Sequence, residues 1–173
     1  MLSEEFVYEK LNDTKTIHEF LIDSICIFDE LVEILINRVF RKTDFVVESV
    51  IESLFSISGP LFDLEIKLKI LLGLGAINRN VFEDITAFIK FEQQTANINI
   101  EFSAQQVINF VLALNLSPRQ SLEHIYLNTQ EENDKTGLLY QMKLLRQEKL
   151  IRSCLLLTIN EIYQQLHIES PFI

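Results

Sequence analysis

The sequence predicts an all-α protein: a single bundle of about seven or eight helices in which the second and the last helix are long. Apolar residues recur at steps of three and four along the chain, which is the period of an amphipathic helix. Only four glycines and three prolines interrupt the 173 residues. A chain of this length folds without a disulfide or metal staple, so we interpret residues 1–173 as one helical domain.

The first two helices are predicted from their caps and from their apolar spacing. Ser3 is the expected N-cap of a short helix that ends near Leu11. Asp13 or Thr14 then begins a long helix that continues to about Phe40. Acidic side chains lie mostly on the other side of this helix and indicate a solvated face, with partner recognition as the alternative. They are Glu19, Asp23, Glu30 and Glu33.

A turn separates the next two predicted helices. Asp44 is the expected N-cap of the third helix, which runs to about Phe55. Residues 56–60, SISGP, have the composition of a turn. Pro60 suits the first position of the fourth helix, predicted over residues 61–72, because proline there loses no helical hydrogen bond.

The stretch 71–80, LLGLGAINRN, fits either a phosphate-binding turn or a corner between two helices. A dinucleotide turn needs a preceding strand and three glycines, whereas this segment follows a helical pattern and Asn78 stands at the third glycine position. We therefore predict a corner that leads into a fifth helix over residues 79–95. Its expected parts are Gly73 or Gly75 in the left-handed conformation, Ile77 filling the corner, and Asn78 or Asn80 as the cap.

Three further helices are predicted in the remainder of the chain, after a loop or short extended piece at 97–102. Ser103 and Gln106 form a capping box for a sixth helix to about Asn115. A short seventh helix is predicted over 119–127, and the polar segment 129–136 is the predicted hinge. The last helix covers about 138–166. One apolar side of it carries Tyr140, Leu144, Ile151, Leu155, Ile162 and Leu166.

The charge is strongly acidic and unevenly distributed. The net charge is −10, and residues 1–60 hold 5 basic against 12 acidic residues. Such a surface repels a phosphate backbone or an anionic membrane and attracts positively charged partners. The chain begins without a secretion signal, and no stretch reaches the roughly 18 apolar residues of a membrane span. We therefore expect a cytoplasmic protein.

The chemistry-bearing residues do not assemble into a recognisable site. Cys26 and Cys154 lie in apolar helical runs and are predicted to be buried thiols. The adjacent acidic pairs Asp29-Glu30 and Glu83-Asp84 point in different directions on a helix, so they are interpreted as solvated surface. The histidines share no metal-ligand spacing: His18, His124 and His167. The sequence predicts no catalytic residue, no cofactor and no metal, and hence no enzyme.

Two features bear on nucleic-acid binding. If the corner were a helix-turn-helix, its second helix would present a net negative charge to DNA, which disfavours that role. A basic spiral recurs every three residues in the last helix and winds about half-way round it. We interpret it as a solvated flank, with a phosphate or an acidic partner as the alternative ligand. It consists of Lys143, Arg146, Lys149 and Arg152.

Residues 39–85 resemble the mannitol operon repressor family of bacterial transcriptional regulators. The matching elements, in order, are Val39-Phe40-Arg41-Lys42 with Asp44, Gly59-Pro60-Leu61 with Asp63-Leu64, Lys67 or Lys69, Gly73-Leu74-Gly75, and Ile77-Asn78-Arg79. A weaker match lies in the last helix, at Arg152-Ser153, Leu157 and Glu161.

The resemblance implies a helical cytoplasmic regulator that lowers transcription of sugar-alcohol uptake genes. It also implies no recognised DNA-reading module, which favours repression through a protein partner, either a transcription factor or a sugar-transport phosphocarrier. One alternative is direct DNA binding by a dimer, with Arg41, Lys42 and the basic spiral as contacts. A homodimer contact through the last helix is a further hypothesis.

The motif block supplies the candidate site residues. Some of them are expected to fix corners: Gly59, Pro60, Gly73, Gly75 and Asn78. The charged residues could pair with one another across the corners or could border a partner-binding groove. They are Arg41, Asp44, Asp63, Lys69 and Arg79, and Lys42 is a further candidate residue of the same motif block.

Overall fold

The computed structural model describes residues 3–40, 45–96, 104–118 and 137–167. In these ranges the chain forms seven α-helices and no strand, so the all-α prediction is confirmed. The helices are α1 (Glu4–Asn12), α2 (Ile17–Val39), α3 (Phe45–Phe55), α4 (Leu64–Gly73), α5 (Arg79–Ala96), α6 (Ala104–Ala113) and α7 (Leu138–Leu166). Outside the described residues lie Arg41, Lys42, the predicted caps Asp44 and Ser103, the loop at 97–102, the helix at 119–127 and the hinge at 129–136.

The long helix α2 begins later than the sequence suggested. Thr16 is its N-cap: the hydroxyl oxygen of Thr16 accepts the backbone N–H of Glu19 at 3.1 Å. The Glu19 carboxylate in turn accepts the backbone N–H groups of Lys15 and Thr16, at 2.8 and 3.2 Å. These two bonds hold the pKa of Glu19 below its usual value. The prediction that Asp13 or Thr14 starts α2 was wrong because this capping box outcompetes an isolated cap.

Two other helices also begin at a residue whose side chain caps the first turn. Ser3 caps α1 as predicted, since its hydroxyl oxygen accepts the backbone N–H of Phe6 at 3.2 Å. Helix α4 begins after Asp63, whose carboxylate accepts the amides of Glu65 and Ile66 at 2.8 and 3.3 Å. Pro60 therefore precedes α4 instead of opening it, and the prediction of a start at 61 was wrong.

The corner between α4 and α5 is built as the second interpretation of LLGLGAINRN expected. Gly75 has φ +72°, a left-handed conformation that favours glycine. The N–H groups of Gly75 and Ala76 donate to carbonyls in the last turn of α4, at 3.0 and 2.9 Å. This is the Schellman arrangement. Asn78 caps α5 by accepting the N–H of Val81 at 2.9 Å, and Ile77 is buried in the corner.

Helix α2 lies at the centre of the fold and packs against α1, α4, α5 and α7. A row of aromatic rings crosses the core from α2 through α5 to α6. The Phe28 and Phe88 centroids are 5.2 Å apart, and those of Phe88 and Phe110 are 5.1 Å apart, both in edge-to-face geometry. Such pairs contribute about 0.5–1.5 kcal/mol beyond their buried area.

The last helix has the predicted bounds but two different halves. Its carboxyl-terminal half is buried along one side, at Ile151, Leu155, Ile162 and Leu166 as predicted. Leu144 is exposed, so the predicted apolar side extends beyond the part of the helix that is buried. Of residues 141–150 only Gln147 is buried, so this part of the helix is largely exposed.

The two cysteines differ in their surroundings. Cys154 is buried as predicted, and burial raises the pKa of its thiol. Cys26 is exposed, so the prediction of a buried thiol was wrong there. Ile22 and Glu30 are exposed on the same side of α2, which shows that the apolar run of this helix is wider than the face it buries. No helix in the described ranges is long and apolar enough to cross a membrane.

Candidate partner-binding surface

The α4–α5 corner is tied to the end of α7 by Asn78. Its amide nitrogen donates to the side-chain oxygen of Gln165, while its own oxygen caps α5. Arg79, the next residue, is exposed and forms an ion pair with Glu83 one turn further along α5, with Nε 2.6 Å from Oε1. The hydrogen bond from Arg79 and the positive charge of its guanidinium lower the pKa of the Glu83 carboxyl. Asn78 therefore has a structural role, whereas Arg79 faces solvent.

The motif charges within the described ranges, Asp63, Lys69 and Arg79, do not form one cluster. Asp63 lies at the amino end of α4, and Arg79 lies beyond its carboxyl end, so a ten-residue helix of about 15 Å separates them. Lys69 is exposed on α4 and pairs with Glu65 at 3.8 Å. The described charges thus pair or cap within their own helices, and the expectation of pairing across corners was wrong for them. Solvent-exposed pairs of this kind contribute little stability.

One charged residue of this block that faces inward is Lys67. Its side chain is 2% exposed, and its ammonium lies 2.9 Å from Oδ1 of Asp29, whose side chain is 40% exposed. The ammonium also lies 5.3 Å from the ring centroid of Phe62, within the range of a cation–π contact. Lys67 therefore links α4 to α2. The interpretation of Asp29 as simple solvated surface was wrong, because its partner is 38 residues away and helical spacing does not reveal it.

A second long-range polar link starts from Asp84 on α5. This residue is 1% exposed. Its carboxylate accepts the backbone N–H groups of Asn115 and Leu116 at 2.8 and 2.9 Å, and the Asn115 side-chain amide at 2.9 Å. Asp84 thereby accepts hydrogen bonds from the backbone N–H groups of the residues that follow α6. The interpretation of Glu83-Asp84 as solvated surface was wrong for Asp84, and Asp84 is unavailable to read DNA.

The basic spiral of α7 is divided by the structure. Arg152 turns inward: its guanidinium donates to the carbonyl oxygens of Thr14 and Lys15, each at 2.8 Å, and pairs with Glu148 at 3.3 Å. It fastens α7 to the link between α1 and α2. Lys143, Arg146 and Lys149 are exposed. The solvated-flank interpretation therefore fits three members of the spiral and fails for Arg152.

Replacing Arg152 with alanine is expected to lower the free energy of unfolding by about 1–2 kcal/mol. Two carbonyl groups would lose a charged hydrogen-bond donor. The matched control is Lys149→Ala on the same helix, where an exposed side chain is lost and the change should stay within about 0.5 kcal/mol. Urea unfolding of both variants measures the difference. Equal stabilities would contradict the structural role of Arg152.

In the ranges that the structure describes, no group of three or more His, Cys, Asp or Glu residues is placed to hold a metal ion. What the described residues offer is a set of exposed helical faces, acidic on α1 and α2 and basic with apolar residues on α7.

Comparison with known proteins agrees with the resemblance found in residues 39–85. The family model described as "Mannitol repressor" matches residues 3–167. The chain belongs to the mannitol repressor family. The family is one of operon repressors. The resemblance therefore extends well beyond the block from which it was recognised.

Relatives and solved structures support this membership. The mannitol operon repressors of Escherichia coli strain K12 and of Escherichia coli O6:H1 are each 30% identical to this chain, over 98% of the chain and 85% of the relative. The X-ray structure of the MtlR-HPr complex from Escherichia coli matches with a TM-score of 0.82 and 29% identity, over 95% of this chain and 98% of that chain. YggD from Shigella flexneri 2a matches with a TM-score of 0.80 over 96% of this chain and 98% of that chain, and at 18% identity it shows the fold alone.

Proposed function

We propose that this mannitol repressor family member represses a mannitol-type operon through protein contacts, and that one partner is a phosphocarrier of the HPr type. The observation that carries the proposal is the solved complex of a repressor with HPr, which matches this fold with a TM-score of 0.82 and covers 95% of this chain. A regulator that binds a sugar-transport phosphocarrier couples transcription to the state of sugar uptake. This function requires the protein to work in the cytoplasm.

The charge of the chain supports a protein partner over direct capture of DNA. The net charge is −10, and the excess of acidic over basic residues among residues 1–60 is seven, from 12 against 5. Several of these carboxylates are exposed on α1 and α2: Glu4, Glu5, Glu9, Glu30 and Glu33. Such a surface repels duplex DNA and steers a positively charged protein face toward it.

Titration of the full-length protein with HPr tests the proposal. We expect saturable binding by calorimetry that weakens as salt rises, because screening shortens the range of attraction between exposed charges. In a gel-shift assay with an operator fragment, the protein alone should give no retarded band at physiological salt. Absence of HPr binding, together with a direct operator shift that has a steep salt dependence, would overturn the proposal in favour of direct DNA binding.

A matched pair of variants tests whether the acidic face of α2 takes part. Glu30→Gln with Glu33→Gln removes two negative charges from that face. Asn80→Lys with Gln94→Lys changes the net charge by the same amount at exposed positions of α5. We expect the first pair to weaken HPr binding at low salt more than the second does. Equal effects would assign the salt dependence to net charge instead of to this face.

A further inference from the structure

Helix α1 covers one face of α7 in antiparallel direction. At the amino end of α1, the carboxylate of Glu4 accepts a hydrogen bond from the side-chain amide of Gln164 at 3.4 Å. Beyond its carboxyl end, Arg152 donates to the carbonyl of Thr14 at 2.8 Å. Between these points the Val7 side chain of α1 is buried, as is that of Leu11. The covered face of α7 therefore extends from Gln164 back to Arg152 and ends where α1 ends.

The same face continues without α1 toward the amino end of α7. Positions 138, 142, 145, 149, 152, 156, 160 and 163 follow one another at steps of three and four, so they share one side of the helix. Tyr163 is buried and Arg152 is largely covered. Past Arg152 the exposure rises sharply: Leu138 is 75%, Met142 59% and Leu145 60% exposed. We call Leu138, Met142, Leu145 and Lys149 the α7 extension face.

Charges around the α7 extension face are mainly positive, although the chain as a whole is acidic. Arg146 and Lys149 are exposed beside the apolar side chains. The nearby carboxylate of Glu148 is already paired with Arg152. On the covered half of the same face, the occupant is an amphipathic helix, α1, whose first turn is acidic. The uncovered half continues the face that α1 covers, and its charge is opposite to that of the first turn of α1. Both observations indicate the kind of ligand that this half would bind.

We propose that the α7 extension face binds an acidic amphipathic helix of a partner protein, laid end to end with α1. The partner helix places apolar side chains on Leu138, Met142 and Leu145 and carboxylates near Arg146 and Lys149. A nucleic acid fits this face less well, because a phosphate backbone offers nothing apolar to cover the three side chains. A second copy of the same face would oppose cation to cation. The inference is independent of HPr binding, and the chemistry of the face defines its partner.

The test uses the full chain and a fluorescent, helix-stapled peptide with glutamates on one side and leucines spaced at three and four on the other. A scrambled peptide of identical composition is the peptide control. We expect saturable anisotropy with the patterned peptide and at least tenfold weaker binding by the Met142→Glu, Leu145→Glu double variant. Leu157→Glu introduces a carboxylate at another exposed apolar position of α7, outside this face, and should leave binding within twofold.

Each alternative occupant gives a different result that would overturn the proposal. Equal affinity for the scrambled peptide, or unchanged affinity of the double variant, removes the helix-docking function. Duplex DNA bound by the wild type and lost in Arg146→Glu, Lys149→Glu, with the patterned peptide unbound, assigns the face to nucleic acid. Self-association in sedimentation equilibrium that disappears in the double variant, with the peptide unbound, assigns it to a second copy. Circular dichroism confirms that each variant remains folded.

Discussion

Replacing Asp84 with alanine is expected to lower the free energy of unfolding by about 2–4 kcal/mol, because it removes a buried carboxylate and leaves partly buried N–H groups without an acceptor. Asp84 is 1% exposed. It accepts two backbone N–H groups, from Asn115 and Leu116, and one side-chain N–H from Asn115. The methyl group of alanine cannot accept any of these three hydrogen bonds. Equilibrium urea unfolding, followed by circular dichroism at 222 nm, measures the loss.

Two companion variants show whether the loss comes from the hydrogen bonds. Asp84→Asn keeps the size but presents an N–H₂ group to at least one backbone N–H, so it should recover only part of the lost stability. Glu83→Gln changes the neighbouring carboxylate, which pairs with exposed Arg79, and its urea midpoint should stay close to that of the wild type. A wild-type midpoint for Asp84→Ala would contradict the assigned role of this carboxylate.

Local features of the fold could be predicted from the sequence because they depend on neighbours within a few residues. The bounds of α7, the left-handed glycine of the corner and the Asn78 cap all follow from helical spacing and from backbone hydrogen bonding. Competition between nearby caps is harder to judge. Thr16 and Asp63, and not Asp13 and Pro60, define the helix starts because each takes part in two hydrogen bonds at the helix end.

The long-range polar links could not be predicted, since residues far apart in the sequence form them. Lys67 and Asp29 are 38 residues apart, and Asp84 and Asn115 are 31 apart. In a helical pattern, a buried charge and a solvated charge look alike until the partner's position is known. Asp84 and Glu83 are adjacent, yet one is buried and the other pairs at the surface.

Several residues of the family block make contacts that hold the helices in place, in keeping with the structural interpretation of its corners. Asn78 ties the corner to α7, Lys67 ties α4 to α2, and Asp63 caps α4. These contacts fix where helices begin, turn and meet. A partner surface has no comparable signature in one sequence, because it consists of ordinary exposed side chains whose meaning depends on what the fold leaves uncovered. The α7 extension face is defined by the position at which α1 ends, which the sequence alone does not give.

Replacing Gly59 with alanine is expected to lower the free energy of unfolding by about 3 kcal/mol, since the added methyl group has no space. A Cβ atom at this position would lie 2.3 Å from the carbonyl oxygen of Leu54 and 2.5 Å from that of Ser53. Both are backbone atoms at the end of α3 and cannot rotate away. The Leu54 oxygen also accepts the N–H of Leu61 at 2.9 Å, so a shift would break the bond that closes the turn.

Displacement of the turn would also move the end of α3 away from α2, where the rings of Phe55 and Phe40 are 5.9 Å apart. The matched control is Gly73→Ala at the end of α4, where a new Cβ meets nothing within 4 Å. Because alanine favours the helix, that variant should be more stable by about 0.5 kcal/mol. Opposite signs for the two glycine substitutions, measured by urea unfolding, are the expected result. If Gly59→Ala were as stable as the wild type, the close approach of this turn to α3 would be refuted.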